Sequence, residues 1–230
     1  MKLFLFISFY LCSSLLRIQT PDNILSDAEK KEGWQLLFNG ADLNSWRTYQ
    51  NKPGSWIAEN GVISGTKNNE GKHADLITKK QYENFELSIQ WKVAAGANSG
   101  IIYMVSEEYD ASFLSGPEYQ LIDDTGYPGK LEDWQKSGAN YAMNPPAVQA
   151  ANAAGEWNST RIKINKGHVE HWLNDKLVVS YDLWTDEWKK NKAKSKWKDE
   201  KGYGASAKGY IALQDHGGGI WFKNIKIKEL

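Results

Sequence analysis

The sequence predicts an all-β fold in which two antiparallel sheets pack face to face. Apolar and polar residues alternate with a period of two through most of the chain after Gly33, and turn dipeptides separate the short apolar stretches. Only one segment has the composition of a long helix. Many short strands with no helices between most of them are typical of a sandwich.

Composition favours one domain with a large core. The chain has 230 residues, of which 13% are aromatic and 11 are Trp. Its 28 basic and 28 acidic residues give a formal net charge of zero. We therefore expect no general attraction to nucleic acid or to an anionic membrane surface.

The first 20 residues are predicted to be an export signal. Lys2 precedes the apolar run "LFLFISFYLCSSLL", which is too short to span a membrane comfortably and ends in small polar residues. The single cysteine, Cys12, lies in this run, so the mature protein would contain no disulfide bond. We expect a periplasmic or secreted protein without a membrane span in the mature chain, with a polar leader at residues 21–32 and the domain at 33–230.

Strand faces and hairpins can be assigned from the pattern. In "NFELSIQWKV" the alternation assigns one set of residues to the core: Phe85, Leu87, Ile89, Trp91 and Val93. Three dipeptides are expected to form hairpin turns, because their residue types tolerate positive φ: Asn60-Gly61, Lys166-Gly167 and Asn174-Asp175.

The one predicted long helix covers "DLWTDEWKKNKAKSKW", residues 182–197. It contains most of a basic run, Lys189 to Lys198. We expect a helix and loop at the rim of the sandwich, with Trp188 or Trp197 packed inward and the lysines solvated.

Polar residues in strands mark the candidate site. Glu118 and Gln120 share one face of "GPEYQLIDD", and Gln214 and His216 lie on the face of "GYIALQDHGGG" that is opposite its apolar residues. Polar groups in the middle of strands suggest a wet sheet face that binds a ligand. A surface or supporting role is the common alternative for any one of them.

Two further strand histidines are three residues apart. His168 and His171 point to opposite faces of "HVEHWL", so they cannot both bind one metal. Jelly-roll glycosidases need two carboxylates that flank the scissile bond, and no Glu-x-Asp-x-x-Glu pattern is present. Serine hydrolase, nucleotide-binding and zinc protease motifs are also absent.

An ordered set of motifs resembles the 3-keto-disaccharide hydrolase domain family over residues 33–230. These motifs are "LLFNGADLNSWR", "SWIAENGVISG", "YENFELSIQWKV", "NSGIIY", "GPEYQLIDD", "GEWNSTRIKI", "VEHWLND" and "GYIALQDHGGGIWFKNIKIKEL". The resemblance implies a jelly roll of the concanavalin A-like lectin/glucanase type and action on glycosides already oxidised at C3 of the sugar. The C3 ketone acidifies the C2 proton, so the aglycone can leave by elimination and water can then add.

The resemblance also implies site residues. His171, His216 and Glu118 are expected to be catalytic, with one histidine as the base and Glu118 as an acid or metal ligand. The expected substrate-binding residues are Gln120, Gln214, Asn98 and Asp123. A divalent cation could stabilise the enolate, but no metal ligand set is assigned. The alternative function is a carbohydrate-binding module that uses the same face without catalysis.

Overall fold

The computed structural model describes residues 21–65 and 73–230. They form a sandwich of two antiparallel sheets, which confirms the predicted fold class. The predicted export signal at 1–20 lies outside the described residues and stays a prediction. No helix among the described residues is long and apolar enough to cross a membrane.

The described residues contain thirteen strands and two α-helices. The strands are β1 Gln35–Leu36, β2 Trp46–Thr48, β3 Trp56–Glu59, β4 Val62–Gly65, β5 Leu76–Thr78, β6 Phe85–Val93, β7 Asn98–Val105, β8 Glu118–Ile122, β9 Asn158–Asn165, β10 His168–Leu173, β11 Lys176–Asp182, β12 Tyr210–Leu213 and β13 Ile220–Glu229. The helices are α1 Asp27–Lys31 and α2 Asp186–Lys194.

The two sheets differ in size. The larger has eight strands in the order β11-β10-β9-β6-β13-β4-β3, with β1 paired to β13 beside this path. The smaller has five strands in the order β2-β5-β12-β7-β8. β7, β8 and β12, which carry most of the candidate site residues, are therefore neighbours in the smaller sheet.

The core lies between the sheets, and β6 supplies its predicted face. Phe85, Leu87, Ile89, Trp91 and Val93 are all buried, whereas the alternate residues of β6 are partly exposed. Burying one such large apolar side chain stabilises the fold by roughly 1.5–3 kcal/mol. The period-two pattern therefore identified this face correctly.

All three predicted hairpin turns have both residues at positive φ. Asn60 and Gly61 have φ of 53° and 76°, and Lys166 and Gly167 have 51° and 83°. Asn174 and Asp175 have 48° and 64°, although neither is glycine. These turns join β3 to β4, β9 to β10 and β10 to β11.

The polar leader at 21–32 packs against β13. Ser26 and Glu29 form a capping box at the start of α1, and Lys226 of β13 forms an ion pair with Glu29. The backbone of Asn23 donates a hydrogen bond to Asn224 Oδ1 at 2.5 Å, and Asn224 N–H donates to Asn23 Oδ1 at 2.8 Å. The leader is thus fixed on the larger sheet.

Helix α2 is shorter than the predicted helix at 182–197. Asp182 is still part of β11, and Trp184 has a φ of 65°, which no α-helix accommodates. Thr185 then caps the helix by accepting a hydrogen bond from Trp188 N–H at 3.2 Å. At the other end, Ser195 adopts an extended conformation.

Candidate active site

The outer face of the five-stranded sheet carries the polar strand residues. In β8, Tyr119 and Leu121 face the core, so Glu118 and Gln120 face outward. Antiparallel pairing places Gly100 of β7 opposite Gln120. The predicted common face of Glu118 and Gln120 is therefore confirmed.

Gln214 reaches the same face from the end of β12. Its backbone N–H donates to Gly100 O at 2.9 Å, and Ser99 Oγ donates to Gln214 O at 2.8 Å. These bonds hold Gln214 beside β7 after regular strand pairing has ended. Asn98, the first residue of β7, lies at the same end of the sheet.

A cavity of about 160 Å³ lies over this face. Its lining is formed by Asn98, Phe113, Glu118, Gln120, Tyr141, Lys196, Trp197, Gln214 and His216. Of the residues expected from the sequence, the structure brings together Glu118, Gln120, Gln214, Asn98 and His216. His171 and Asp123 are not among them.

Three amide oxygens in this cavity are buried and unpaired. Asn98 Oδ1, Gln120 Oε1 and Gln214 Oε1 accept no hydrogen bond from the described part of the chain. A buried polar atom without a partner costs about 1–3 kcal/mol. Such a group calls for a partner that the protein does not supply. The hydroxyl groups of a sugar are donors of the required kind.

Glu118 is buried at the base of the cavity, with 4% of its surface exposed. Burial raises the pKa of its carboxyl group to about 8, because an apolar environment disfavours the charged form. The nearby positive charge of Lys196 opposes this shift, and the negative charge of Asp75 adds to it. Glu118 is therefore largely protonated at neutral pH and can donate a proton.

His216 is exposed and lies where three cavities meet. It lines the 160 Å³ cavity and two larger adjoining ones, of about 440 Å³ and 320 Å³. The glycines that follow it, Gly217 to Gly219, have φ of 96°, 88° and 80°. A side chain at any of the three would strain the backbone, and no described atom lies within 4 Å of a Cβ placed at Gly217. The glycines thus form a left-handed turn and leave the cleft beside His216 open.

The 440 Å³ cavity contains charged groups that the sequence analysis did not single out. Asp75 accepts hydrogen bonds from the Ser112 hydroxyl and, at 2.8 Å, from Asp215 N–H. Desolvation nevertheless raises the pKa of Asp75. His73 Nδ1 lies 3.5 Å from Asp215 Oδ1. The sequence pattern that could have identified Asp75 is the alternation in "DLIT", which places Asp75 and Ile77 on the same, outer face of the strand.

An aromatic stack closes one side of the cleft. Trp188 and Trp197 both stack on Tyr203, with ring centroids 6.3 Å and 4.5 Å away. Trp197 Nε1 donates to Tyr141 O at 3.1 Å. Both tryptophans are buried, so the expected packing of this rim segment is confirmed.

Lys196 of the same segment is exposed and also contacts the cleft. The lysines of the basic run were expected to be solvated, and most of them, including Lys196, are exposed. The Lys196 ammonium also lies 4.1 Å from the ring centroid of Tyr141 and 4.3 Å from that of Trp197. It faces the cavity that contains Glu118. The basic pattern gave no sign of this ring contact, because the contact depends on the path of the loop after α2.

His171 does not line the cleft, and its expected catalytic role stays a prediction. It is fully buried between the sheets, where its Nδ1 lies 3.0 Å from Gly138 O and its Nε2 lies 2.8 Å from the Tyr103 hydroxyl. Burial lowers the pKa of His171 to about 4. The sequence placed His171 correctly on the apolar face of its strand, but β10 belongs to the larger sheet, away from the cleft.

Asp123 does not line the 160 Å³ cavity either. Its carboxylate caps the turn after β8, accepting hydrogen bonds at 2.9 Å from Gly96 N–H and Gly126 N–H. Burial works to raise the pKa of Asp123, but these bonds and those from Thr125 lower it overall. The Asp123 carboxylate therefore holds two loops together, and its expected contact with substrate stays a prediction.

No metal ligand set accompanies these residues. Within residues 21–65 and 73–230, no group of three or more His, Cys, Asp and Glu side chains could hold a metal ion. The cavity around Glu118 contains one carboxyl group, which burial keeps largely protonated. Hard divalent cations also accept amide oxygens, so the possible cation at this site stays a prediction.

Comparison with known proteins identifies relatives over most of the chain. Residues 33–228 match the 3-keto-alpha-glucoside-1,2-lyase-like domain family. A 3-keto-disaccharide hydrolase from Bacteroides thetaiotaomicron is 35% identical, with 86% of this chain and 79% of that protein covered.

Solved structures give the same result for the fold. A crystal structure from Parabacteroides distasonis, of a protein assigned provisionally to the glycosyl hydrolases, has 44% identity and a TM-score of 0.85 over 91% of this chain and 99% of that one. A Flavobacterium laminarinase is 13% identical with a TM-score of 0.53, covering 86% of this chain and 98% of its own. At that identity the likeness concerns the jelly-roll fold alone.

Proposed function

The chain belongs to the 3-keto-alpha-glucoside-1,2-lyase-like domain family, and on that premise we propose that it hydrolyses glycosides whose sugar carries a ketone at C3, by elimination and hydration. The observation that carries the proposal is the convergence of one protonated carboxyl group, one histidine and three unpaired amides on a single cavity. A related protein named for 3-keto-disaccharide hydrolysis supports the substrate class.

The reaction has two stages. A base removes the proton from C2, and the electron pair is delocalised onto the C3 oxygen as an enolate. The enolate then collapses, the bond from C1 to the glycosidic oxygen breaks, and a C1=C2 double bond forms while an acid protonates the leaving oxygen. Water adds its hydroxyl to C1 and a proton returns to C2, so the overall result is hydrolysis.

Glu118 and His216 have the positions that these steps need. Glu118 is protonated at neutral pH and buried at the base of the cavity, so it protonates the leaving oxygen. His216 is the histidine that lines this cavity and both adjoining ones, so it removes the C2 proton. Water later restores the proton of Glu118, and His216 returns its proton to C2.

The remaining groups bind the substrate. The unpaired amide oxygens of Asn98, Gln120 and Gln214 accept hydrogen bonds from the hydroxyl groups of the oxidised sugar. The leaving group extends into the 440 Å³ cavity, which shares Phe113, Gln214 and His216 with the smaller one. That cavity has the polar side chains that a second sugar would require.

Ordinary glycoside hydrolysis is less consistent with this cavity. It uses two carboxyl groups, about 5–5.5 Å or 6.5–9.5 Å apart, on either side of the glycosidic bond. Among the described residues that line the 160 Å³ cavity, only Glu118 has a carboxyl group. Elimination from a 3-keto sugar needs just one acid together with a base.

Isotope incorporation tests the mechanism. The protein is incubated in D₂O with a 3-keto-glucoside and, separately, with the same glucoside before oxidation. We expect aglycone release from the oxidised substrate alone, with one deuterium at C2 of the product sugar. Release without deuterium at C2 would contradict the elimination route, because direct hydrolysis of the acetal leaves the C2–H bond intact.

The rival function is a binding module that uses the same cleft. The protonated carboxyl of Glu118 beside an exposed histidine favours the enzyme, since a binding site gains nothing from a buried acid that destabilises the fold. Saturable binding of 3-keto-glucosides without aglycone release would support the binding module instead.

A further inference from the structure

Two aromatic rings contact Lys196 at the edge of the candidate active site. Its ammonium lies over the rings of Tyr141 and Trp197. Trp197 is fixed in turn by its stack on Tyr203 and by a hydrogen bond from its backbone N–H to Ser195 Oγ at 3.1 Å. The Lys196 side chain is exposed, and these two ring contacts bring its ammonium to the edge of the cavity.

Lys196 also differs in charge from the other groups around it. Among the described residues that line the 160 Å³ cavity, it is the one lysine or arginine. The amides of Asn98, Gln120 and Gln214 are neutral whichever way they are turned, and Glu118 is assigned to the leaving oxygen. Lys196 and Glu118 also act on each other: the charge of Lys196 lowers the pKa of Glu118, and the charge of Glu118 raises that of Lys196 against the larger effect of desolvation.

The proposed reaction needs a positive charge at one particular atom. When the C2 proton leaves, a full negative charge develops on the C3 oxygen. A donor aimed at such an oxygen in a water-poor site is often the largest single contribution to catalysis. The leaving oxygen on C1 and the ketone oxygen on C3 flank C2, so the acid and this donor must both lie near the base.

We propose that Lys196 is a catalytic residue that donates a hydrogen bond to the C3 oxygen and stabilises the enolate. This inference rests on the proposed function and deepens it. The Lys196 ammonium moves from the Tyr141 and Trp197 rings to within hydrogen-bond distance of the C3 oxygen. It does not transfer a proton at any step. It therefore supplies charge, while His216 and Glu118 carry the proton transfers.

Three variants test the role. Lys196→Met removes the charge at similar volume, Lys196→Arg keeps it, and Lys198→Met is the matched control, because Lys198 is an exposed lysine two residues away. For a 3-keto-glucoside, we expect kcat/KM to fall about 10²- to 10³-fold in Lys196→Met, as for loss of an oxyanion donor. Lys196→Arg should recover most of this loss, and Lys198→Met should stay within about twofold of the wild type.

A second readout separates catalysis from support of the loop. In D₂O, Lys196→Met should slow deuterium uptake at C2 as strongly as aglycone release, because both pass through the enolate. The alkaline limb of its pH–rate profile should also move to higher pH, because Glu118 would stay protonated to a higher pH. Lys196 and Asp75 act on the pKa of Glu118, and the titratable groups Tyr141 and His216 line the same cavity. Loss of Lys196 removes the group that lowers the pKa of Glu118.

The outcomes are distinct. Wild-type activity with near-normal C2 exchange in Lys196→Met would overturn the role of Lys196 and leave the proposed function in place. Equal losses in Lys196→Met and Lys196→Arg with an unshifted pH profile would also overturn it and indicate a structural role. No aglycone release by the wild type would overturn both proposals. Circular dichroism of each variant establishes that it is folded.

Discussion

Glu118 lies directly over Gly100 on the neighbouring strand. A methyl group at Gly100 would come within 2.8 Å of the carboxyl carbon of Glu118, which is closer than non-bonded carbons approach. Gly100 is not at a positive φ, so the backbone would tolerate alanine there. The glycine is therefore required by the position of the acid and not by the strand.

We expect Gly100→Ala to displace Glu118 and reduce kcat by roughly tenfold or more, since small misplacements of a catalytic group are costly. Overpacking should lower the free energy of unfolding by about 1–3 kcal/mol. Gly65→Ala is the matched control, because a Cβ at this β4 residue meets its neighbours at ordinary distances of 3.7 Å. Turnover of a 3-keto-glucoside and urea unfolding of both variants measure the effects. Equal effects of the two substitutions on kcat would contradict this account.

Glu118→Gln should abolish proton donation and yet stabilise the fold. The folded-state pKa of Glu118 is raised from 4.5 to about 8, so its folding free energy is most favourable below pH 4.5 and is lost as pH rises towards 8. At about 1.4 kcal/mol per pH unit, the penalty at pH 8 is on the order of 3–5 kcal/mol. Glutamine does not ionise and avoids it.

The stability of Glu118→Gln and wild type is compared by urea unfolding at pH 5 and pH 8. The advantage of the variant should grow with pH over this interval. A constant difference would show that Glu118 ionises normally in the folded protein. Turnover of a 3-keto-glucoside by Glu118→Gln is measured at pH 7, where the variant should release no aglycone above background.

His216→Ala should reduce turnover by about 10² to 10⁴, the usual effect of removing a general base. The exposed His168 offers a control on the opposite sheet, where it forms an ion pair with Asp182 at 2.7 Å. His168→Ala should change kcat by less than twofold. If His216→Ala kept wild-type turnover on a 3-keto-glucoside, the base would have to be another group.

His171→Ala is expected to affect stability and not the pH–rate profile. Removing the ring leaves the Gly138 carbonyl and the Tyr103 hydroxyl without their partner in the core, which should cost about 3 kcal/mol. Because the folded pKa of His171 is depressed to about 4, the wild type loses stability as pH falls from 6.5 to 4, and the variant should lose less. Loss of one limb of the pH–rate profile in folded His171→Ala would point to a catalytic role after all.

Local patterns were sufficient for much of this protein. The core face of β6, the three hairpin turns and the common face of Glu118 and Gln120 all follow from alternation and turn chemistry, which involve residues close together in the chain. The glycines after His216 were also readable as a special turn. The export signal at 1–20 and the cellular location remain predictions.

Long-range packing decided the rest. Alternation places His171 on the inner face of β10, but only sheet assembly shows that β10 lies in the larger sheet and away from the cleft. Asp123 follows the site strand directly, and a turn with Gly96 and Gly126 draws its carboxylate away. Lys196 and Asp75 come from segments distant in sequence, and they reach Glu118 only because loops fold over the smaller sheet. Side-chain alternation is a property of one strand, whereas a catalytic site depends on which strands and loops become neighbours.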